Sequence, residues 1–498
     1  MPSVHYGKSK LACVDIGAAE EPATDIAADH QAIEKYLSKQ RNHAFRLPPA
    51  QNAVSLPKQT SVNMDIKKLY ELYRQHPQVT TDSRDCPAGS IFIALKGASF
   101  DGNKFAKSAL EKGCSYAVID EKEYYDATDS RLILVDDCLT TFKELAREHR
   151  RQFNIPVVGI TGTNGKTTTK ELVSAVLGEK YRIMHTEGNF NNDVGVPKTL
   201  LRLTADDEMA VVEMGASHPG DIKKLVEYVE PTAGLITNVG RAHLQGFGSF
   251  EGVMRTKGEL YDFLKAHDGL VFLNTGNPHL VDMARERELD RIISYGSEDD
   301  ANVQGRVTAA DPFISIEWQE SGKPNVYSVK SHLIGAYNVD NMLAAVAVGL
   351  HFGVSPEQIN HALEHYQPTN NRSELVKTAD NVLVVDAYNA NPTSMAAALD
   401  SFESLDMPQP KMVIIGDMRE LGEVSQEEHQ KVVDTLKAKG FTEVWLVGEE
   451  FMKTQSDYRK FKDVEEVKAA IKADKPKGRC ILVKGSNGIK LFELPELL

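Results

Sequence analysis

The most explicit chemistry in this sequence lies in the run Gly159-Ile-Thr-Gly-Thr-Asn-Gly-Lys-Thr-Thr-Thr169. Glycines at 162 and 165, a lysine at 166 and a hydroxyl at 167 suit a turn whose backbone N–H groups surround a phosphate. Lys166 then adds a point charge and Thr167 reaches a Mg2+ ion. Thr163, Asn164 and Thr168 complete the set of loop contacts. The common spacing G-x-x-x-x-G-K-[ST] is not met, because Ile160 stands where its first glycine belongs. The apolar run Ile155-Pro-Val-Val-Gly-Ile160 predicts a buried strand before the loop, and a helix follows from Thr168 to Leu177. Nucleotide binding follows from this arrangement; the reaction type does not.

Three more residues have chemistry to offer. Glu213 closes a strand predicted from Met209 to Met214, where a carboxylate suits Mg2+ and where a solvated strand-end glutamate is the alternative. His243 follows a strand predicted from Ala233 to Asn238. A lone histidine is more often structural than a ligand, and imidazole is an unusual partner for Mg2+. Lys257, within Met254-Arg-Thr-Lys-Gly-Glu-Leu260, reads by itself as a surface lysine.

A chain of 498 residues exceeds the roughly 250 to 300 at which single cores stop growing, so about three domains are expected. Residues 1–63 read as a mostly disordered extension with a short possible helix from Asp29 to Lys39. An amphipathic helix starts just after Met64. Residues 64–153 carry a small α/β pattern, with strands at Ser90–Leu95 and Tyr116–Ile119 and helices at Phe105–Lys112 and Thr140–Gln152. Residues 154–367 hold the phosphate loop and alternating strands and helices, which imply a parallel sheet covered on both faces. Within them, residues 302–334 alternate in the manner of an antiparallel appendage, and an Ala-rich helix runs from Val339 to Phe352. Residues 368–498 restart the alternation as a second doubly wound domain, with strands at Val382–Asp386, Met412–Gly416, Val444–Val447 and Ile481–Val483.

Composition narrows the partners. Lys plus Arg number 57 against 71 Asp plus Glu, a net charge of −14, which argues against nucleic acid. Five scattered cysteines form no C-x-x-C and read as incidental thiols of a reducing compartment. No run approaches the about 20 apolar residues of a membrane span, and the first residues lack a signal peptide's apolar segment, so a cytoplasmic protein is expected.

The order of motifs resembles the Mur ligase family, the amide-forming ligases of peptidoglycan synthesis, over residues 64–498. The resemblance rests on the loop above, Glu187-Gly-Asn-Phe-Asn-Asn-Asp-Val-Gly-Val-Pro197, Val212-Glu-Met-Gly215, Asn238-Val-Gly-Arg-Ala-His243 and Gly335-Ala-Tyr-Asn-Val-Asp-Asn-Met342. Three further segments look like the branch that joins D-alanyl-D-alanine to UDP-N-acetylmuramoyl-tripeptide. They are Thr81-Asp-Ser-Arg84 with Gly89-Ser-Ile-Phe-Ile-Ala-Leu-Lys-Gly-Ala-Ser-Phe-Asp-Gly102, Val385-Asp-Ala-Tyr-Asn-Ala-Asn-Pro392, and Gly416-Asp-Met-Arg-Glu-Leu-Gly422.

The resemblance implies a small α/β domain for the UDP-sugar, a central P-loop ATPase-like domain and a C-terminal Rossmann-like domain. It implies ATP and two Mg2+ ions as cofactors, a monomeric enzyme, and Lys166 as a catalytic residue. Thr167, Glu213 and His243 become metal ligands, and Lys257 becomes a lysine that takes up CO2 as a carbamate and joins them. Asn338, Asn341, Arg372, Asp386 and Tyr388 match positions that hold adenine, ribose or phosphate. Ser83, Arg84, Asn189, Asn191, Asn389 and Asn391 are the implied substrate contacts. The chain departs from the family at Asn487, where Lys-Gly-Ser-Arg is usual, and at Asn103, where Asp-Gly-His is frequent. A sibling adding a single amino acid, a folylpolyglutamate-type ligase and a P-loop switch or motor are the competing readings.

Overall fold

Three large sheets, joined in chain order, and a two-stranded ribbon of Lys96–Gly97 with Phe100–Asp101 make up the fold of the computed structural model, which describes residues 65–97, 99–368 and 372–498. The extension read as disordered, with its possible helix, lies outside the described residues, as does Cys13. All that follows concerns the unit Ser61–Leu498.

The first sheet is parallel, in order β1 (Val79–Thr80), β2 (Ile91–Ile93), β3 (Tyr116–Ile119), β4 (Leu132–Leu134). Helices α1 (Ile66–Gln75), α2 (Ala106–Glu111) and α3 (Cys138–Arg150) belong with it. Two of these helices start on side-chain caps: Asp65 accepts the Lys67 N–H and Asp137 the Thr140 N–H. Leu69, Tyr73, Phe142 and Leu145 then reach the core formed by Ile91–Ile93 and Ala117–Ile119.

The central sheet has nine strands. In chain order its elements are β5 (Val157–Thr161), α4 (Lys166–Gly178), β6 (Ile183–His185), α5 (Gly195–Leu200), β7 (Met209–Glu213), α6 (Asp221–Val229), β8 (Ala233–Ile236), α7 (Phe250–Ala266), β9 (Leu270–Asn274), α8 (Pro278–Glu286), β10 (Ile292–Gly296), β11 (Val303–Ala310), β12 (Phe313–Glu320), β13 (Val326–Ile334), α9 (Val339–His351) and α10 (Pro356–His365). The spatial order is β13-β12-β11-β10-β9-β8-β5-β7-β6. The chain leaves β5 on one side toward β6 and β7 and returns on the other through β8, so the strand order reverses at the end of β5. Open α/β sheets bind their ligands at such a point.

Sequence patterning misses part of this. The segment read as an antiparallel appendage is continuous with the sheet, because β10 pairs β11 in parallel before β11, β12 and β13 pair antiparallel. Trp318 on β12 is 1% exposed, stacks on Tyr327 and donates its indole N–H to Asn360 of α10 at 2.8 Å. Helix α7 has no counterpart among the elements expected from periodicity, although Ser249 caps it by accepting the Gly252 N–H. Residues 339–349 of α9 are mostly buried, and Gly349 permits a close approach to α4: a Cβ there would stand 2.5 Å from Val176 Cγ1.

The C-terminal sheet runs β14-β15-β19-β16-β17-β18 and is parallel except for the edge strand β14. Its elements are β14 (Glu374–Lys377), β15 (Val382–Asp386), α11 (Pro392–Ser404), β16 (Lys411–Gly416), α12 (Ser425–Ala438), β17 (Glu443–Val447), β18 (Arg459–Phe461), α13 (Val464–Ala473) and β19 (Cys480–Lys484). Separate cores flank its two faces, one around Leu399, Val433 and Phe451, the other around Val467, Ile481 and Leu491. Among the described residues no helix is long and apolar enough to cross a membrane, and Cys86, Cys114, Cys138 and Cys480 are free thiols.

Candidate functional site

The phosphate loop leaves β5 at the reversal point and enters α4 through Gly165, whose φ of +77° lies in the left-handed region. A Cβ on Gly162 would stand 1.9 Å from Thr237 Oγ1, and one on Gly165 would stand 2.7 Å from Asn341 Oδ1. Both glycines are therefore required by close approach as well as by conformation. The end of β8 braces the loop: Asn238 accepts the Thr163 N–H on its carbonyl and the Asn164 N–H on its side chain, each at 2.9 Å, and the Thr237 hydroxyl donates to the Asn164 carbonyl. Lys166 Nζ donates to the carbonyls of Gly162 and Thr163 at 2.8 and 2.9 Å. Burial pushes its pKa down to about 8, against the pull of Glu213 and with a further push from Arg372.

A cleft of about 650 Å3 opens over this loop, within the range of small-molecule sites. Its floor is Thr163 to Thr168, with Asn191, Glu213 and His243 to one side and Asn338 and Asn341 to the other. Arg372, Asp386, Tyr388 and Asn389 of the C-terminal domain line it from above. The Arg372 guanidinium stacks on Tyr388 at 3.9 Å. Lys484, 1% exposed in its side chain, donates to Asp386 at 2.5 Å and to the Asn389 carbonyl at 3.2 Å. Motif matching alone gives Lys484 no role, and it also passes over Tyr337, which lines the cleft and hydrogen-bonds Ser373 across the domains at 2.8 Å. Tyr337 stands inside the Gly335–Met342 motif, so a signal for it is present in the sequence.

Glu213 is fully buried. Its Oε1 accepts from Asn191 Nδ2 at 2.7 Å, whereas Oε2 is buried with no hydrogen-bond partner. An orphaned carboxylate oxygen in a phosphate cleft that Thr167 also lines fits an oxygen-seeking divalent cation. Among the described residues no three His, Cys, Asp or Glu side chains gather as a metal cage, so a cation here would draw on the Thr167 hydroxyl and the nucleotide as well. His243, with φ +50°, turns Nδ1 to the Glu420 carboxylate of the C-terminal domain; burial lowers its pKa and Glu420 opposes that shift.

Lys257 corrects the reading from spacing alone. It is 2% exposed on the inner face of α7 and makes no hydrogen bond or ion pair among the described residues, with only the Phe247 ring 5.6 Å from Nζ. Burial, reinforced by Lys166, drives its pKa well below the ordinary lysine value. Burial of that kind favours the neutral, nucleophilic form of the amine.

The remaining candidates lie elsewhere. Ser83 and Arg84 sit on the loop after β1, where Lys112 Nζ donates to the Ser83 carbonyl and the Arg84 guanidinium donates twice to Asp82, at 2.9 and 2.7 Å. Asn189 stands on an exposed turn outside the cleft lining. Asn391, 4% exposed, caps α11 by accepting the Ser394 N–H and donates to Asn164 Oδ1 at 2.7 Å, so its amide is committed within the protein. Asn103 is likewise consumed: it donates to Asp101 and Asp120 and accepts the Asp120 N–H.

A phosphate loop at the reversal point of a parallel sheet, roofed by a second doubly wound domain and preceded by a small α/β domain, defines a three-domain nucleotide-binding protein. Residues 77–150 match the catalytic domain of the Mur ligase family, 160–349 the Mur ligase middle domain and 371–487 the Mur ligase glutamate ligase domain. The chain belongs to the Mur ligase family, with the three-domain α/β architecture expected from its motifs. It is 35% identical to UDP-N-acetylmuramoyl-tripeptide--D-alanyl-D-alanine ligase of Bacillus subtilis, over 84% of this chain and 92% of that protein. With the Escherichia coli protein of the same name the identity is 34%, over 75% and 81%. Its fold matches crystal structures of MurF from Acinetobacter baumannii (TM-score 0.75, 29% identity, 84% and 93% covered) and from Thermotoga maritima in complex with ADP (TM-score 0.75, 27% identity, 84% and 96% covered).

Proposed function

We infer that this chain is an ATP-dependent ligase that joins D-alanyl-D-alanine to UDP-N-acetylmuramoyl-tripeptide in peptidoglycan synthesis. The observation that carries this reading is the likeness to ligases of that name through all three domains, at 35% identity over 92% of the Bacillus subtilis protein. The amide is made in two steps. The terminal carboxylate of the tripeptide attacks the γ-phosphorus of ATP, the bond to the β–γ bridging oxygen breaks, and ADP leaves an acyl phosphate. The dipeptide amine then attacks the acyl carbon, inorganic phosphate departs and the nitrogen loses a proton.

Lys166 and the loop N–H groups hold the γ-phosphoryl oxygens as charge moves across them. Arg372, Tyr388, Asp386, Asn338 and Asn341 hold the nucleoside end, and the roof over the cleft excludes water from the acyl phosphate. Thr167, Glu213 and His243 hold Mg2+, supported by the orphaned Glu213 Oε2. Bound Mg2+ supplies positive charge to the phosphoryl oxygens. A carbamate on Lys257 supplies the anion that a second ion needs, supported by that amine's burial and lowered pKa. Ser83, Arg84 and Asn189 serve the sugar nucleotide and Asn389 the peptide. The enzyme works as a cytoplasmic monomer, a reading that rests on the family resemblance.

Phosphate release measured with ATP, UDP-N-acetylmuramoyl-tripeptide and D-alanyl-D-alanine, leaving out one at a time, tests the reaction. Release is expected only with all three present, and Lys166→Ala is expected to lower kcat by about 10^2 to 10^3. Equal release with a single amino acid replacing the dipeptide would point to a sibling ligase.

A further inference from the structure

Helix α3 belongs to the first domain, yet much of its charge is spent on the central one. Arg150, buried, donates to the Val229 carbonyl at 3.1 Å, and Arg147 and Arg151 both meet the Glu230 carboxylate beside it, at 3.1 and 2.6 Å. These contacts seat the C-terminal half of α3 on the end of α6. One turn earlier Lys143, 7% exposed, reaches Asp193 at 2.8 Å, with the Tyr228 ring 5.9 Å from Nζ. Burying an ammonium is costly even when it is paired, and an apolar side chain of similar length would fill the space against Tyr228 without that cost. Stability therefore does not explain this lysine, and what it holds in place must.

Asp193 belongs to a turn that faces the nucleotide: Asn191, Asn192 and Asp193 all line the cleft. Asn192 Oδ1 accepts the N–H groups of Val194 and Gly195, at 3.2 and 2.8 Å, and so leads into α5. Asn191 accepts the Gly215 N–H on its carbonyl and donates from Nδ2 to Glu213 Oε1, each at 2.7 Å. The fit is close on both sides, since a Cβ on Gly215 would stand 2.8 Å from Asn191 Oδ1 and one on Gly195 2.4 Å from Phe190 Cα. A single residue thus separates the anchor at Asp193 from the amide that claims one oxygen of Glu213 and leaves the other without a partner. The first domain grips the chain again beyond α5, where Tyr73 donates to the Leu201 carbonyl at 2.7 Å and His149 Nε2 to the Leu203 carbonyl at 2.8 Å.

We propose that Lys143 is a positioning residue for the phosphoryl-transfer site: by holding Asp193 it fixes the turn that places Asn191, and through Asn191 it sets the Glu213 carboxylate with Oε2 free for a cation. The ion pair also neutralises Asp193, which would otherwise turn an unpaired carboxylate toward the phosphates of the nucleotide. A side chain of the sugar-nucleotide domain, remote from the reacting atoms, thereby tunes the cleft of the next domain.

The inference rests on the proposed nucleotide chemistry, but its main readout needs no amine substrate. Calorimetry on the full chain gives the affinity for ADP with and without Mg2+, and the ratio of the two is the gain that the cation supplies. The double variant Lys143→Met with Asp193→Asn cuts the tether without leaving a charge behind. It is expected to keep the wild-type melting temperature within a few degrees, to lose about 10-fold of the Mg2+ gain and to lower kcat by about the same factor, with the KM for D-alanyl-D-alanine unchanged. Asp193→Asn alone leaves the packing around Lys143 in place and is expected to reduce the gain in the same direction, which keeps the test valid if the double variant folds poorly. An undiminished Mg2+ gain in both variants overturns the proposal, as does a loss that extends equally to the KM for the dipeptide, the mark of a general loss of structure. A wild-type chain that shows the Mg2+ gain, with both variants losing it, yet ligates no D-alanyl-D-alanine overturns the substrate reading and upholds the role of Lys143.

Discussion

At the scale of residues, burial converts ordinary side chains into reactive ones. Lys257 is spaced like a surface lysine, yet α7 turns it inward with no partner of opposite charge in contact. Desolvation then favours the neutral amine, which is the form that adds CO2. Lys257→Ala is expected to lower kcat by at least about 100-fold, the scale set by losing one preorganised charge in a phosphoryl-transfer site. Formate or acetate should restore part of the activity, and wild-type enzyme equilibrated with 13C-bicarbonate should show a carbamate carbon resonance that the variant lacks. A fully active variant would refute the carbamate. Glu213 illustrates a different limit: its place at a strand end is legible from the sequence, but the missing partner of Oε2 exists only once Asn191 has claimed Oε1.

Elements depend on which neighbours they meet. Two glycines on the contacting helices α4 and α9 make opposite predictions. Gly178, at the end of α4, has open space where a Cβ would stand, so Gly178→Ala is expected to stabilise by about 0.5 to 1 kcal/mol through a less flexible unfolded chain. At Gly349 of α9 a Cβ would meet Val176 at 2.5 Å and Ile359 at 3.1 Å, so Gly349→Ala is expected to cost about 1 to 3 kcal/mol through overpacking. Melting temperatures should therefore move up for the first and down for the second; movement in the same direction would contradict the packing argument. Propensity alone ranks both changes as favourable. The same dependence explains the strands that patterning misses: β1, β6 and β18 have two or three residues each and take their conformation from the strand beside them.

For the whole molecule, the decisive feature is a cleft assembled from segments more than two hundred residues apart, as the Asn164–Asn391 contact shows. Asn391 both caps α11 and reaches Asn164 in the phosphate loop. Asn391→Ser keeps a good cap but is too short for the loop, so stability should change by only about a few tenths of a kcal/mol while kcat falls about tenfold. Small-angle scattering with ADP should then report a larger radius of gyration than for the wild type, and an unchanged kcat and radius would make the contact incidental. By itself the sequence determined the phosphate loop, the two doubly wound domains and the family, because strand–loop–helix periodicity and motif order are local properties of the chain. Only the tertiary structure decided that Lys257 is buried, that residues 302–334 extend the central sheet, and that Asn103 and Asn391 are spent on the protein itself. Those outcomes depend on which distant group arrives first at each polar atom, and residue spacing along a chain does not encode that.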